Sequence, residues 1–250
     1  GVSLLLIAAI LLSGMASLWR MLLWVKGPKK AFAIYYISAA ILNSHDPRLY
    51  QHALVDSTAA ARGIEQYSVC YLYPPCFAAI LRPLATLPYE TAKTMWFWIN
   101  VLFLVASLPL LIKIAGLEVN ARSLGLGALA MATFPPVHRA LLSGQVSPFL
   151  LVLCAGGMSL ANANRSWLGL TAESSSGSLL GVAAMTKVFP LIFLPYAFLK
   201  RRFRLAIWMT VSIVICLVIG LTCGGGLRNT SQYFGSVLLS AYQQRIGLSQ

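Results

Sequence analysis

The sequence has few charged residues: only 10% of its 250 residues are Asp, Glu, Lys or Arg. A soluble domain normally carries about 25%, because it must cover a wide surface with polar groups. Hydrophobic residues make up 58% of the chain. The scarcity of charge excludes a water-soluble domain and predicts an integral membrane protein.

Acidic residues are the scarcest charged type, with six against 19 Lys and Arg and a net charge of +13. No basic helix with interleaved aromatic residues supports nucleic-acid binding. We therefore attribute the charge to loops beside anionic lipid headgroups and expect membrane lipids as partners. The spacing of His45, His52 and His138 matches no metal motif, and no nucleotide-phosphate loop or Ser/His/Asp triad is found. We predict neither a metal site nor a cofactor.

Long apolar runs predict several transmembrane helices, since about 20 apolar residues are needed to cross about 30 Å of hydrocarbon. Trp96 and Trp98 stand at the start of one run, where an interfacial aromatic belt is expected. Because the chain begins with Gly1 rather than Met, we expect it to be a fragment. We predict one all-α transmembrane domain over 1–250, with spans at 2–25, 93–115, 121–137, 146–162, 177–199 and 205–223.

The longest polar stretch is the loop 43–90, which contains five Tyr residues. Its aromatic content argues against disorder, so we expect short helices lying at the membrane surface. The apolar run 31–42 is too short to span, which leaves an interfacial helix or a buried stub. The polar connection before residue 177 is rich in Ser, and we expect its Ser-rich part to be flexible.

The basic run KRRFR, residues 200–204, is expected in the cytoplasm. If 177–199 is one continuous span, KRRFR lies on the same side as the long loop and its neighbouring Lys26, Lys29 and Lys30. If Lys187 and Pro190 break the segment into a re-entrant hairpin, KRRFR lies opposite the long loop. Charge alone favours the first topology.

Lys187 is the most unusual polar residue, because it lies deep in an apolar segment. Such a residue either contacts an anion such as phosphate or extends along the apolar surface to reach water. The Pro three residues later favours the phosphate contact slightly, since a broken helix exposes N–H groups. The segment Ser143–Ser147, with Gln145 at its centre, predicts a helix start, where N-terminal amides attract anions.

Three acids of the long loop, Asp46, Asp56 and Glu65, are candidates for a general base, although solvated surface acids are the default interpretation. The Tyr residues of the same loop, including Tyr73, are candidates for a sugar-stacking platform. Interfacial anchoring is the alternative for most of them.

Several of these segments occur in a recognisable order. FAIYYISAAI is followed by HDPRLY, YPP at 73–75, RPL at 82–84, MWFWIN, FPPVHRALLSGQVS, GVAAMTKVFP and KRRFR. This order resembles glycosyltransferase family 87, the polyprenyl-phosphate-mannose-dependent mannosyltransferase-like membrane proteins of bacteria. The similarity covers most of residues 30–205.

The resemblance implies a multi-span GT-C-like helical bundle, with short interfacial helices in the first large loop and an active site on the extracytoplasmic face of the bacterial inner (plasma) membrane. It implies a lipid-linked, mannose-like sugar donor on polyprenyl phosphate, a lipid or glycan acceptor, and inverting transfer with a loop carboxylate as base. Lys187 and Gln145 would then hold the donor phosphate, and Tyr73 and His138 would complete the substrate site. Family topology favours the re-entrant alternative for 177–199.

One position departs from the family pattern, because Ala31 stands where similar proteins carry the expected catalytic Asp. Either another acid serves as the base, or transfer activity is lost. In the first case Asp46 is the preferred candidate, ahead of Asp56 and Glu65. The second case leaves a catalytically silent accessory or scaffold subunit of a larger membrane complex, with membrane-protein partners.

Overall fold

The computed structural model describes residues 16, 19, 29–44, 46, 48–64, 71–161 and 171–238. Within these residues the chain is helical and contains no β-strand. The predicted span 2–25 lies, apart from Ala16 and Trp19, outside the described residues. So do Lys26 and Glu65.

Eleven α-helices are described in the structure. They are α1 (Lys30–Asn43), α2 (His52–Ala61), α3 (Pro75–Ile80), α4 (Tyr89–Ile114), α5 (Ala121–Thr133), α6 (Pro135–Ser143), α7 (Ser147–Ala161), α8 (Ala172–Thr186), α9 (Phe193–Leu199), α10 (Phe203–Cys223) and α11 (Gly226–Gln232). Short 3₁₀ turns cover Leu84–Thr86 and Phe189–Ile192, and a π turn covers Tyr233–Val237.

Two described helices, α4 and α10, are long and apolar enough to cross a membrane. They contain 26 and 21 residues and fall on the predicted spans 93–115 and 205–223. The other predicted spans that lie within the described residues fall on helices of 13 to 15 residues or on broken segments. The all-helical class is confirmed, whereas the six-span membrane bundle stays a prediction.

The predicted spans 121–137 and 177–199 are each interrupted. Helix α5 ends at Thr133, because Phe134 precedes Pro135 and a residue before proline is disfavoured in helical geometry. The chain resumes as α6, so the polar segment predicted to connect two spans is largely helical. Helix α8 ends at Thr186 and Lys187 is extended, with φ −151° and ψ 130°. The segment 177–199 is therefore not one continuous helix.

Two glycines bring α8 against α10. A Cβ at Gly177 would lie 2.4 Å from the carbonyl oxygen of Leu205, and one at Gly181 would lie 2.6 Å from that of Met209. Small residues allow helices to approach this closely. The preceding residues Ser174–Ser176 are buried in the same helix, so the prediction of a flexible Ser-rich segment is wrong.

The contacts also fix helix directions. Gly177 faces Leu205 and Gly181 faces Ser212, so α8 and α10 run parallel. The chain returns to the start of α10 through α9, and the Arg202 guanidinium that follows α9 donates to the carbonyl of Ala161 at 2.8 Å. The bundle end holding Ala161 and residues 200–204 is called the basic end.

The opposite end of the bundle holds the last turns of α8 and α10, where Met185 and Cys216 pack together. Helix α4 begins there, with the ring of Tyr89 5.3 Å from that of Tyr36. Helix α1 lies buried at this end, with ten of its 14 residues inaccessible to solvent. The buried alternative for 31–42 is therefore correct. This end is called the tyrosine end.

Candidate functional site

Five tyrosines from four separate segments form the centre of the tyrosine end. The hydroxyl groups of Tyr35 and Tyr73 lie 2.8 Å apart, and the Tyr50 hydroxyl donates to the Tyr73 carbonyl at 2.8 Å. The rings of Tyr71 and Tyr233 pack against Tyr50 at centroid distances of 5.7 and 6.2 Å. These five residues are called the tyrosine cluster.

Burial keeps the cluster protonated. Tyr35 and Tyr71 are buried, and loss of hydration raises the pKa of each hydroxyl well above its ordinary value. Both groups therefore remain neutral hydrogen-bond donors at any physiological pH. Tyr73 is only half-buried, so it is the member of the bonded pair that reaches the surface. Such a face presents aromatic rings and hydroxyls together, which suits a sugar.

The connection between α6 and α7 meets this cluster. The backbone of Val146 lies within hydrogen-bonding reach of the Tyr35 hydroxyl. Gly144 ends α6 with a left-handed φ of +68°, and Gln145 follows it with an exposed side chain. Helix α7 begins at Ser147, the last residue of the segment predicted to start a helix, and the Ser147 hydroxyl donates to the Gln145 side chain at 3.3 Å.

Two side chains hold this connection in place, and the sequence analysis had assigned them other roles: Lys29 as a cation beside the long loop and Trp96 as part of an aromatic belt. Lys29 is 1% exposed and its ammonium donates to the carbonyl of Leu141 at 2.9 Å, while the Trp96 indole donates to the carbonyl of Gly144 at 2.8 Å. Together they satisfy the carbonyls at the end of α6, which a helix end leaves without intrahelical partners. Burial and the nearby charge of Lys93 lower the pKa of Lys29 to about 8.

Lys187 lies in the bend where α8 ends. Its backbone N–H still bonds to the Ala183 carbonyl at 3.0 Å, and its side chain is half-buried. Its neighbours reach the tyrosine end, because the Met185 carbonyl accepts from the Cys76 thiol at 3.5 Å and Val188 packs against the tyrosine-rich core. The bend thus lies beside the tyrosine cluster.

Of the two predicted acids that the structure describes, Asp46 lies in the segment that leads from α1 to Tyr50 of the tyrosine cluster. It forms a two-contact ion pair with Arg48, at 2.9 and 2.7 Å, and these hydrogen bonds lower the pKa of its carboxyl, with Arg228 adding a smaller effect. Four residues later, Tyr50 joins the cluster. Asp56 is half-buried in α2, a helix whose main contacts are with α1.

A second anchor, Asn229, ties the Asp46 loop to the end of α10. It is fully buried, its amide donates to the Gly224 carbonyl at 2.9 Å, and its oxygen accepts from the Leu49 backbone at 3.4 Å. Gly225, with φ +89°, leaves room for this side chain, since a Cβ there would lie 2.1 Å from the Asn229 amide nitrogen. The Gly224–Gly226 run was the available sequence signal.

His138 and Ala31 occupy the edges of this arrangement. A ring nitrogen of His138 contacts the carbonyl of Ala132, at the junction of α5 and α6. That position is about 9 Å along α6 from Gly144. Ala31 is half-buried in the first turn of α1 and packs against the same core. In the described part of the chain, no group of three His, Cys, Asp or Glu side chains is arranged to hold a metal ion.

Comparison with known proteins gives one match. The family model described as glycosyltransferase family 87 matches residues 71–250. No curated protein and no solved structure matches the chain.

Proposed function

Because the chain belongs to glycosyltransferase family 87, we propose that it is a membrane glycosyltransferase that moves a mannose-like sugar from polyprenyl phosphate to a lipid or glycan acceptor. The observation that carries this proposal is the meeting of three features at one end of the bundle. They are the helix break at Lys187, the α6–α7 connection at Gln145, and the tyrosine cluster.

In this proposal the donor phosphate binds between Lys187 and the Gln145 connection. An ammonium supplies a compact positive charge for phosphate, and the start of α7 supplies N-terminal backbone N–H groups, which attract anions. The tyrosine cluster, through half-buried Tyr73, shapes the sugar pocket. Its buried hydroxyls stay neutral and donate to acceptors within the protein, so they shape the pocket without repelling the phosphate.

The proposed reaction is a single displacement at the anomeric carbon. The acceptor hydroxyl oxygen forms the new bond to that carbon, and the bond to the phosphate oxygen breaks. The leaving electron pair goes to polyprenyl phosphate, whose charge Lys187 stabilises, and the acceptor proton goes to a carboxylate. Asp46 is the proposed base, since it is ionised and lies in the loop that joins the tyrosine cluster.

We place the tyrosine end outside the cytoplasm of a bacterial plasma membrane. Lys200, Arg201 and Arg204 are exposed at the basic end, as expected for a short cytoplasmic connection. At the tyrosine end, several cations are tied to protein groups instead. Lys29 bonds to a carbonyl, and the Arg62 guanidinium donates to the Tyr36 hydroxyl at 2.7 Å. This arrangement supports the re-entrant alternative and the extracytoplasmic site.

The test is sugar transfer from radiolabelled polyprenyl-phosphate sugars, in membranes that lack the native enzyme. Lys187→Ala should lower kcat/KM roughly 10- to 150-fold, the equivalent of a lost hydrogen bond to a charged group. Lys200→Ala is the matched control, because its side chain is exposed at the basic end, and it should transfer like the wild type.

Equal activity of Lys187→Ala and wild type would remove the phosphate assignment. A wild-type protein without transfer from any donor, purified in a stoichiometric complex, would instead identify the accessory-subunit alternative.

A further inference from the structure

An open apolar groove lies between α4 and α5, away from the tyrosine cluster. Its volume is about 640 Å³, within the usual range for a small-molecule site. Apolar side chains form its walls, among them Leu108, Ile112, Leu126, Ala130 and Met131. Ile112 lies 16 residues after Trp96, which is about 24 Å along α4, so the groove belongs to the basic end.

The groove exists because α5 packs loosely. None of its 13 residues is buried. Gly127 makes the close approach to α4, since a Cβ there would lie 2.6 Å from a methyl group of Leu108. Gly125, half a turn earlier, has nothing within 4 Å of that position. Helix α5 thus approaches α4 closely at Gly127, and among the described residues its side chains leave apolar walls exposed along the groove.

Two opposite charges stand at the mouth of the groove. Glu118 and Arg122 both line it and both are exposed, and no ion pair joins them in the described structure. The turn that carries them is fixed, because Asn120 and Ser123 form a reciprocal cap and the Ser123 hydroxyl donates to the Glu118 carbonyl at 2.6 Å. The site thus offers one cation and one carboxylate beside the apolar walls of the groove.

We propose that this groove binds a phospholipid with a primary-amine headgroup, of the phosphatidylethanolamine type. One acyl chain lies along the α4–α5 walls, the phosphate meets Arg122, and the headgroup ammonium meets Glu118. A glycerol headgroup has no cation for Glu118, and a trimethylated amine has no N–H to donate. The proposal rests on the membrane setting proposed above and is independent of glycosyl transfer.

The experiment uses the full chain in nanodiscs that contain photoactivatable acyl-chain phosphatidylethanolamine, phosphatidylglycerol or phosphatidylcholine at equal mole fraction. Crosslinked peptides are then identified by mass spectrometry. The ethanolamine lipid should label residues 108–131 roughly tenfold more than the choline lipid, the equivalent of one charge-assisted hydrogen bond.

Variants separate the two headgroup contacts. Glu118→Gln should reduce ethanolamine-lipid labelling to the level of the glycerol lipid, whereas Arg122→Gln should reduce labelling by both lipids. Ala130→Trp fills the groove and should block labelling by all three lipids. Lys113→Gln is the matched control, because Lys113 is an exposed cation of the last turn of α4 that does not line the groove.

Equal labelling by all three lipids, unchanged by either charge variant, would show nonspecific boundary lipid and overturn the proposal. A crosslink between two copies through this groove would overturn it as well. Labelling is read without sugar transfer, so a protein that transfers no sugar can still confirm the lipid site, and an active enzyme can still refute it.

Discussion

Replacing Gly177 by Ala tests the packing that positions Lys187. A Cβ at Gly177 would lie 2.4 Å from the Leu205 carbonyl oxygen and 2.9 Å from the Met209 nitrogen. Ordinary contacts start near 3.4 Å, so α8 and α10 must separate by about 1 Å. Both atoms belong to the backbone, and neither can rotate away.

The expected cost follows from two opposing effects. Overpacking of this kind costs about 3 kcal/mol at the upper end of the usual range, and the better helix propensity of Ala returns about 1 kcal/mol. The net loss of about 2 kcal/mol corresponds to a Tm lower by roughly 4–8 °C for a chain of this length. Because α8 ends at Lys187, sugar transfer should fall together with stability.

Thermal unfolding in detergent can be followed with a thiol-reactive fluorophore, which reports exposure of the buried Cys76 and Cys216 once Cys70, Cys154 and Cys223 are replaced by Ser. Gly125→Ala is the matched control, since a Cβ there meets nothing within 4 Å, and its Tm should rise slightly. If Gly177→Ala melts at or above the temperature of Gly125→Ala, the tight α8–α10 contact is wrong.

Two further predictions concern the acid and the topology. Arg48 lowers the pKa of Asp46, so the wild-type kcat/KM should fall only below the ordinary Asp range near pH 4. Arg48→Gln should move this loss of activity to higher pH. An unchanged pH profile of kcat/KM would exclude Asp46 as the base. Cys223, exposed at the tyrosine end, should react with an impermeant thiol reagent from outside intact cells in a Cys70→Ser background. Lys200→Cys, in a background in which Cys70 and Cys223 are both replaced by Ser, should react only after permeabilisation, and the reverse pattern would invert the proposed topology.

The long apolar helices were predictable, because α4 and α10 each have enough consecutive apolar residues to form a span regardless of their neighbours. The break at Lys187 was also foreseen as one of two alternatives, since a charge and a nearby Pro190 both oppose a continuous apolar helix. What the sequence left open was direction. The contact between Arg202 and Ala161 is a tertiary one, and it places KRRFR away from the long loop.

The errors have a common physical origin in tertiary packing. Ser174–Ser176 look like a flexible linker in isolation, yet small residues are favoured where helices pack closely, and the Ser176 hydroxyl donates to the Gly157 carbonyl at 2.7 Å. The spacing of Gly177 and Gly181 was the overlooked signal. Lys29 looked like a solvated loop cation, and only the carbonyl end of α6 explains its burial.

The short helical segment from Phe189 to Leu199 joins two cations at opposite faces of the bundle, Lys187 before it and Arg202 after it. The Arg202 side chain, after the end of this segment, donates to the Ala161 carbonyl. Because the backbone from Phe189 to Leu199 is helical, we expect the segment to move as one rigid element. In the proposed function Lys187 binds the lipid phosphate, so a displacement of Lys187 as the phosphate leaves should move this segment, and the contact between Arg202 and the Ala161 carbonyl would then have to shift or break.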